Sequence, residues 1–285
     1  MSRLVDARGR ALAFDREPLR LVSLVPSDTF TLARLGAGHA IVGCTEYCVE
    51  PAEVVRTIER VGGTKSADVE RIRSLAPDLV VANLEENRKL DIERLEAHGV
   101  CVYVSFPCTV VEGVEHAATL ASLLPSLAPF PVVDEARARV HARSETSTER
   151  ARVFVPIWME PLMTVNHATF ISDVIERAGG VNVFADRERR YPLAADLGRR
   201  EAIVRELLGD RDVRYPRVTL EEVAARRPEV VLLPDEPHAF SDADAAIFRD
   251  LLPDARIVRC DGRDLMWPGL RATEGLERLA RLIAG

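Results

Sequence analysis

Residues 68–82, Asp68-Val-Glu-Arg-Ile-Arg-Ser-Leu-Ala-Pro-Asp-Leu-Val-Val-Ala82, decide the fold because residues 219–233 echo them without a gap. The second copy reads Thr219-Leu-Glu-Glu-Val-Ala-Ala-Arg-Arg-Pro-Glu-Val-Val-Leu-Leu233. Glu70 falls on Glu221, Pro77 on Pro228 and Glu85 on Glu236, a constant offset of 151 residues (221 − 70). Each copy has the pattern of a capped helix, a proline that stops it and a buried strand. A second echo pairs Thr29-Phe30 and Leu35-Gly36-Ala37-Gly38 with Thr169-Phe170 and Ala178-Gly179-Gly180. Two echoes in the same order point to two related halves.

Outward from the repeat, strands and helices alternate. Leu19–Leu24 is a short apolar run ended by Val25-Pro26-Ser27, with Ser27 or Asp28 placed to cap a helix over 29–35. Gly36-Ala37-Gly38 stops that helix, since glycine accepts the left-handed closing conformation. Strands are expected at 40–44, 79–82 and 100–105, and helices at 69–75, 90–98 and 110–124. The rhythm breaks at Pro125, Pro129 and Pro131, after which a charged helical stretch, 132–143, has no strand beside it. It resumes with a strand at 153–158, helices at 170–178 and 220–226, and a strand at 230–233. A helix at 243–251, a strand at 256–260 and a last helix from about Thr273 complete the chain. A turn at Ala7-Arg8-Gly9 joins an N-terminal strand pair over 5–14. Such alternation predicts parallel sheets covered on both faces. The expected class is α/β, two Rossmann-like lobes with parallel sheets joined by a single long backbone helix. Its expected boundaries are 1–130, 131–150 for the linking helix, and 151–285.

Composition narrows the function. With 47% hydrophobic and 29% charged residues, the 285-residue chain has the balance of a folded globular protein. A formal charge of −7 and only 5% aromatics argue against a nucleic-acid partner. No apolar run approaches the roughly 20 residues of a membrane helix. The opening ten residues carry charge but no apolar core, so the location expected as encoded is cytoplasmic. Five cysteines (Cys44, Cys48, Cys101, Cys108 and Cys260) form no C-x-x-C pair, and reduced, mostly buried thiols are expected.

The common catalytic signatures are missing: no G-x-x-x-x-G-K-[ST] loop, no G-x-G-x-x-G after the first strand and no G-x-S-x-G elbow. The histidines form no H-x-x-x-H pair, so they predict no metal site. No spacing selects an acid/base pair among the carboxylates. The expectation is a binder, with no catalytic residues and no catalytic cofactor. Ligands of parallel sheets bind beyond the carboxyl ends of the strands. Such positions here hold Tyr47, Asn83, Glu86, Phe106, Trp158, Met163, Glu236 and Trp267. Two facing lobe edges would form a cleft suited to a small molecule. Phe106 and Trp158 would serve equally well as packing between lobes.

The stretch Leu21-Val-Ser-Leu-Val-Pro-Ser27, the Gly-Ala-Gly stop and Val42-Gly-Cys-Thr-Glu-Tyr-Cys-Val-Glu-Pro51 together resemble the opening of the helical-backbone (class III) periplasmic substrate-binding proteins of ABC importers. That family carries cobalamin, haem and iron–siderophore ligands. Val61-Gly-Gly-Thr-Lys65, Trp158-Met-Glu-Pro-Leu-Met-Thr-Val165 and the run from Thr169 to Phe184 are most similar to its cobalamin-binding branch. The resemblance covers residues from about 5 to 284. It implies a corrinoid, cobalamin-like or other metal-chelate ligand held between two lobes. Tyr47 would contact the corrin, Tyr215 and Met163 would supply an aromatic and an apolar wall, and Arg271 a polar contact. Thr64 and Asn83 stand where that branch places tryptophans, and Glu85-Glu-Asn-Arg-Lys89 makes this rim polar.

The resemblance further implies that Glu70 and Glu221 dock onto arginines of an ABC permease. A carboxylate in a first helical turn also gains about 0.3–1 kcal/mol from the helix dipole. A monomer is expected, and the family location, periplasmic, is the alternative to cytoplasmic. An intracellular tetrapyrrole- or metal-handling protein, either a chelatase-like enzyme using Glu86 or His238 or a carrier, is a reading of another class that the fold also allows. A relative with only an interaction role is the third.

Overall fold

The structure, a computed structural model, describes residues 2–143 and 150–285. Residues 144–149, part of the expected linking helix, lie outside the described residues. The chain divides into two units. Residues up to 139 and 267–273 form the first, and residues 140–266 and 274–285 the second.

The first unit is built on five parallel strands in the order Glu59–Arg60, Ile41–Cys44, Leu21–Ser23, Leu79–Asn83, Val102–Ser105. Side chains alternate across this sheet, so Leu21, Leu79 and Val81 pack with Leu120 and Leu124, while Val22, Val80 and Val102 pack with Ile72 and Leu95. Burial on both faces explains the unbroken apolar runs. The second unit has four parallel strands in the order Gly180–Asn182, Ala151–Phe154, Val230–Pro234, Arg256–Cys260. The Phe154 ring lies 5.4 Å from Phe184 and 5.8 Å from Phe248, and all three are fully buried. The α/β class with two parallel sheets is as the alternation predicted.

The sequence repeat is reproduced down to single atoms. Helix Val69–Ser74 is capped by Asp68, whose side chain accepts from the Arg71 N–H at 2.9 Å. Helix Leu220–Arg226 is capped by Thr219, which accepts from Glu222 N–H at 3.2 Å. Ala76 and Arg227, each directly before its proline, both have φ 46, and they are the only non-glycine residues with positive φ among the described residues. An arginine at the first strand of each half covers the carbonyls left open at the helix end. Arg20 Nε donates to Ala76 O at 3.2 Å, and Arg152 Nε to Arg227 O at 3.1 Å. A cation there also opposes the negative end of the helix dipole. Arg227→Gly and Ala76→Gly are each expected to raise stability by about 0.5–1 kcal/mol, because left-handed backbone costs a residue with a Cβ more than glycine's extra chain entropy. Chemical denaturation checks this, and no gain in either variant would refute the strain.

Several elements differ from expectation. Helix Pro26–Arg34 starts at Pro26 with Val25 as its N-cap and no side-chain cap, so neither Ser27 nor Asp28 caps it. Proline's fixed φ suits that first position. The strand expected over 153–158 ends at Phe154, because Trp158–Met159 turns back to pair with Leu162–Met163. A short helix, Gly262–Met266, precedes the last helix, which runs Leu270–Ala284 and so begins before Thr273. Helix Pro131–Arg143 covers the described part of the linker. Residues 183–219, with no element expected before 220, hold only the short helix Leu193–Asp196 and the turn Arg205–Leu207.

Candidate ligand-binding site

In the first unit the strand ends are shaped by asparagines. Asn83 is buried at the end of Leu79–Asn83. Its Oδ1 accepts from the N–H groups of Glu85 (2.7 Å) and Glu86 (3.2 Å), and its Nδ2 donates to Ser105 Oγ at 3.3 Å. The Asn83 N–H donates to Asn87 Oδ1 at 2.8 Å, and Asn87 Nδ2 donates to Leu24 O and Thr64 O, each at 3.1 Å. The Lys65 ammonium donates to the Glu85 carbonyl. These bonds tie the 62–67 hairpin to two strand ends and set Thr64 and Glu86, both half-buried, on the rim. Asn83 itself shapes that rim from within.

Tyr47 is 61% exposed, and a Cβ on Gly63 would come within 3.3 Å of its ring, so glycine leaves the ring its place. Phe106, with Tyr103, Ser105, Glu112 and His116, lines a depression of about 230 Å³. Beneath it His116 Nε2 lies 2.7 Å from Asp28 Oδ1, and Tyr103 Oη lies 3.2 Å from His116 Nδ1. Burial first, then Asp28 and Asp6, hold the Tyr103 hydroxyl far above its ordinary value. It remains a hydrogen-bonding group and offers no nucleophile. Trp267 is 5% exposed and meets Phe30 edge-on at 6.4 Å. The Arg271 guanidinium sits 5.9 Å from the same ring and 3.6 Å from Glu50 Oε2. Both residues therefore belong with Tyr47 in the first unit, although the sequence reading places them in the second lobe.

In the second unit Trp158 pairs directly with Met163 across the short hairpin, and Met163 bridges to Arg217. Thr164 N–H donates to Pro216 O at 3.1 Å and Val218 N–H to Leu162 O at 2.9 Å. One ribbon thus carries Trp158, Met163 and the segment of Tyr215. Trp158 is 42% exposed, its ring centroid 5.3 Å from His238, which meets Phe240 at 4.6 Å. The Arg214 guanidinium lies 5.3 Å from the Tyr215 ring. Glu236 packs against Gly262, where a Cβ would fall 2.4 Å from Glu236 Cγ. Neither Phe240 nor the Asn87 clamp was assigned a role from sequence, and His238 was named there only for the chelatase-like reading. Position at a strand end was the one available signal for each.

Glu70 and Glu221 are both exposed in the first turn of their helices. Glu70 pairs with Arg73 at 2.7 Å. Backbone N–H, then the Thr219 hydroxyl, hold the Glu221 carboxyl below its ordinary value, so it stays charged. No group of three or more His, Cys, Asp or Glu among the described residues is placed to hold a metal ion. No helix among them is long and apolar enough to cross a membrane.

Two parallel-sheet units with aromatic and polar residues at their strand ends form a fold suited to holding a ligand. Residues 21–236 match the family described as periplasmic binding protein, and the chain belongs to that family. It is 34% identical over 186 residues to the cobalamin-binding protein of Halobacterium salinarum, covering 64% of this chain and 50% of that protein. The match thus spans about half the length of that relative. The periplasmic vitamin B12 binding protein of Vibrio cholerae superposes with a TM-score of 0.69 at 22% identity, over 94% of this chain and 97% of that one. The periplasmic heme-binding protein from Roseiflexus sp. RS-1 gives 0.70 at 19% identity, over 93% and 97%. At those identities the superpositions speak to the fold. The expectation of a binder rather than an enzyme agrees with the family. The cytoplasmic location expected from the opening residues has no support in it, since the family is periplasmic.

Proposed function

We propose that the chain is the substrate-binding component of an ABC-type importer and takes a corrinoid or another metal-chelate ligand, acting outside the cytoplasm as a monomer. The candidate contacts are Tyr47, Thr64, Asn83, Glu86, Phe106, Trp267 and Arg271 of the first unit, and Trp158, Met163, Tyr215 and Glu236 of the second. Asn83 and Trp267 act from below the surface, through the rim and the core. The observation that carries this reading is the family match with exposed Tyr47 and Trp158 at the strand ends of the two halves. The polar rim around Glu86 suits a ligand with amide or carboxylate groups. The two lobes are taken as the two units, residues up to 139 with 267–273, and residues 140–266 with 274–285.

Calorimetric titration with cobalamin, cobinamide, haem and ferric siderophores tests it. One of them is expected to bind at micromolar affinity or tighter, and binding no stronger than about millimolar by all of them would overturn the reading. Tyr47→Ala and Trp158→Ala are each expected to weaken that binding about tenfold, equal to about 1.4 kcal/mol. Glu70 and Glu221 are proposed as the permease contacts. The double variant Glu70→Lys/Glu221→Lys is expected to keep its ligand affinity and abolish uptake in cells, and undiminished uptake would refute the docking role.

A further inference from the structure

Four arginines and two tyrosines gather where residues 189–191 and 211–217 of the second unit meet, and the ligand contacts named above use only Tyr215 of them. The Arg189 N–H donates to Val213 O at 2.8 Å, and the Asn166 N–H to Arg214 O at 2.9 Å. Tyr191 Oη donates to Asp212 O at 2.7 Å, which holds its ring against the second segment. The Arg189 guanidinium lies over the Tyr191 ring, 4.4 Å from its centroid, and that of Arg211 lies over the same ring at 5.4 Å. Arg214 repeats the contact with Tyr215 at 5.3 Å. Arg217 donates from Nη1 to Tyr215 O at 3.1 Å, whereas its Nε is buried and has no hydrogen-bond partner among the described residues.

Charge in this group is unbalanced. Two carboxylates hydrogen-bond into it, and both are committed. Asp212 accepts from Arg214 at 2.7 and 3.0 Å, and Asp196, which takes the Arg217 N–H, is paired with buried Arg187. The side chains of Arg189 and Arg211 make no ion pair and no hydrogen bond among the described residues; each only lies over the Tyr191 ring. A guanidinium lying on a ring keeps its N–H edge free, and that planar edge matches two oxygens of a carboxylate or a phosphate. Burial, then the positive charge of Arg189, act against the charged form of Arg217, and an oxyanion beside both would oppose that strain. The local excess of positive charge stands out in a chain whose formal charge is −7.

We infer that Arg189, Arg211 and Arg217 form an oxyanion subsite that holds a carboxylate or phosphate group of the ligand. The inference rests on the ligand reading above and narrows it to chelates that carry a free acid group. Met163, paired in register with Trp158, bridges to Arg217. The arginines therefore border the wall that carries Trp158 and Met163. Positive charge at the edge of an apolar wall suits a ligand with an apolar ring and acidic arms. A ligand whose arms are all neutral amides would leave these guanidinium groups without a counter-charge.

Calorimetric titration of the full chain tests this with two kinds of probe. Pyrophosphate and citrate carry the anion alone. Each is expected to bind at about millimolar affinity or tighter at low salt and to weaken at least about tenfold at high salt. Arg189→Gln and Arg211→Gln are each expected to weaken that binding about tenfold, because each removes a charge-assisted hydrogen bond. Arg190→Gln, at an exposed neighbour outside the group, is expected to leave it unchanged. The second probe is a matched pair of macrocycles. Haem is expected to bind at least about tenfold more tightly than its dimethyl ester, which lacks only the two carboxylates, and the ester is expected to be indifferent to both variants. Cobalamin against cobinamide, which lacks the phosphate, makes the same comparison for phosphate, so the pair that differs identifies the acid taken. If a variant does not fold, the salt dependence and the matched pairs on the unaltered chain decide. Where no macrocycle binds, the ligand reading fails and the free anions decide the subsite alone, their failure to bind overturning it. Macrocycle binding that is blind to the ester, to the phosphate and to both variants would overturn the subsite and leave the ligand reading standing, and so would an equal loss in Arg190→Gln.

Discussion

Trp267→Ala is expected to lower the unfolding free energy by about 3–5 kcal/mol, the usual cost of truncating a buried tryptophan to alanine. Trp267 keeps 5% of its surface exposed, and its contact with Phe30 adds an edge-to-face term to the area buried. The ring starts the segment 267–273, which leaves the second unit's stretch of sequence and joins the first. Around it the packing leaves little slack. A Cβ on Gly269, at φ 97, would come within 2.9 Å of Thr31 Oγ1, and Leu270 and Ala272 are wholly buried. The surroundings therefore have little freedom to collapse into the space left by the indole. A shift of the denaturation midpoint at constant slope measures the effect. A loss under about 1 kcal/mol would mean that the ring does not hold this segment.

Asp196→Ala is expected to be as damaging, at about 3–5 kcal/mol, because it takes from the buried Arg187 guanidinium its fully buried counter-charge and leaves only Glu222 opposite it. Asp196 Oδ1 accepts from Arg187 Nη1 at 3.0 Å and from Arg190 N–H at 2.9 Å, and Oδ2 accepts from Arg217 N–H at 2.7 Å. Both side chains of the ion pair are almost fully buried, at 5% and 0% exposure. Arg187 also reaches Glu222 at 2.9 Å and the Asp196 carbonyl at 2.7 Å. One carboxylate therefore joins three points of the poorly regular stretch 183–219 to the helix that carries Glu221. Asp196→Asn is expected to lose less, since the amide keeps one acceptor. The double variant Arg187→Met/Asp196→Leu is expected to recover much of the loss by removing both charges. Denaturation of the three variants checks this. A double variant no better than Asp196→Ala would show that the hydrogen bonds to Arg190 and Arg217, rather than the stranded charge, set the cost.

The halves of this protein were legible because their signals are local. A capping Asp68 or Thr219, a proline after the helix and a doubly buried strand lie within fifteen consecutive residues, whereas the left-handed backbone at Ala76 and Arg227, directly before the prolines, was not legible there. The candidate site was legible only as a set of strand ends. Tyr47 and Trp158 are exposed there, whereas the polar Asn83 sits beneath the surface with its amide committed to Glu85, Glu86 and Ser105. Nothing in the spacing of Asn83 and Asn87 tells a ligand contact from a bracket, since both types of residue cluster at loop starts.

The sequence by itself determined the α/β class, the duplication and the equivalence of Glu70 and Glu221, all of which rest on periodicity and on residues close in the chain. Tertiary structure alone decided that residues 267–273 return to the first unit and that Asp196 gathers Arg187, Arg190 and Arg217. It also decided that Arg60 and Thr29 reach the thiols of Cys44 and Cys48. Each of these joins residues on separate elements. The energy of burying a ring, a charge or a thiol is set by what surrounds it in space, and hydrophobic pattern along a chain carries no record of those neighbours.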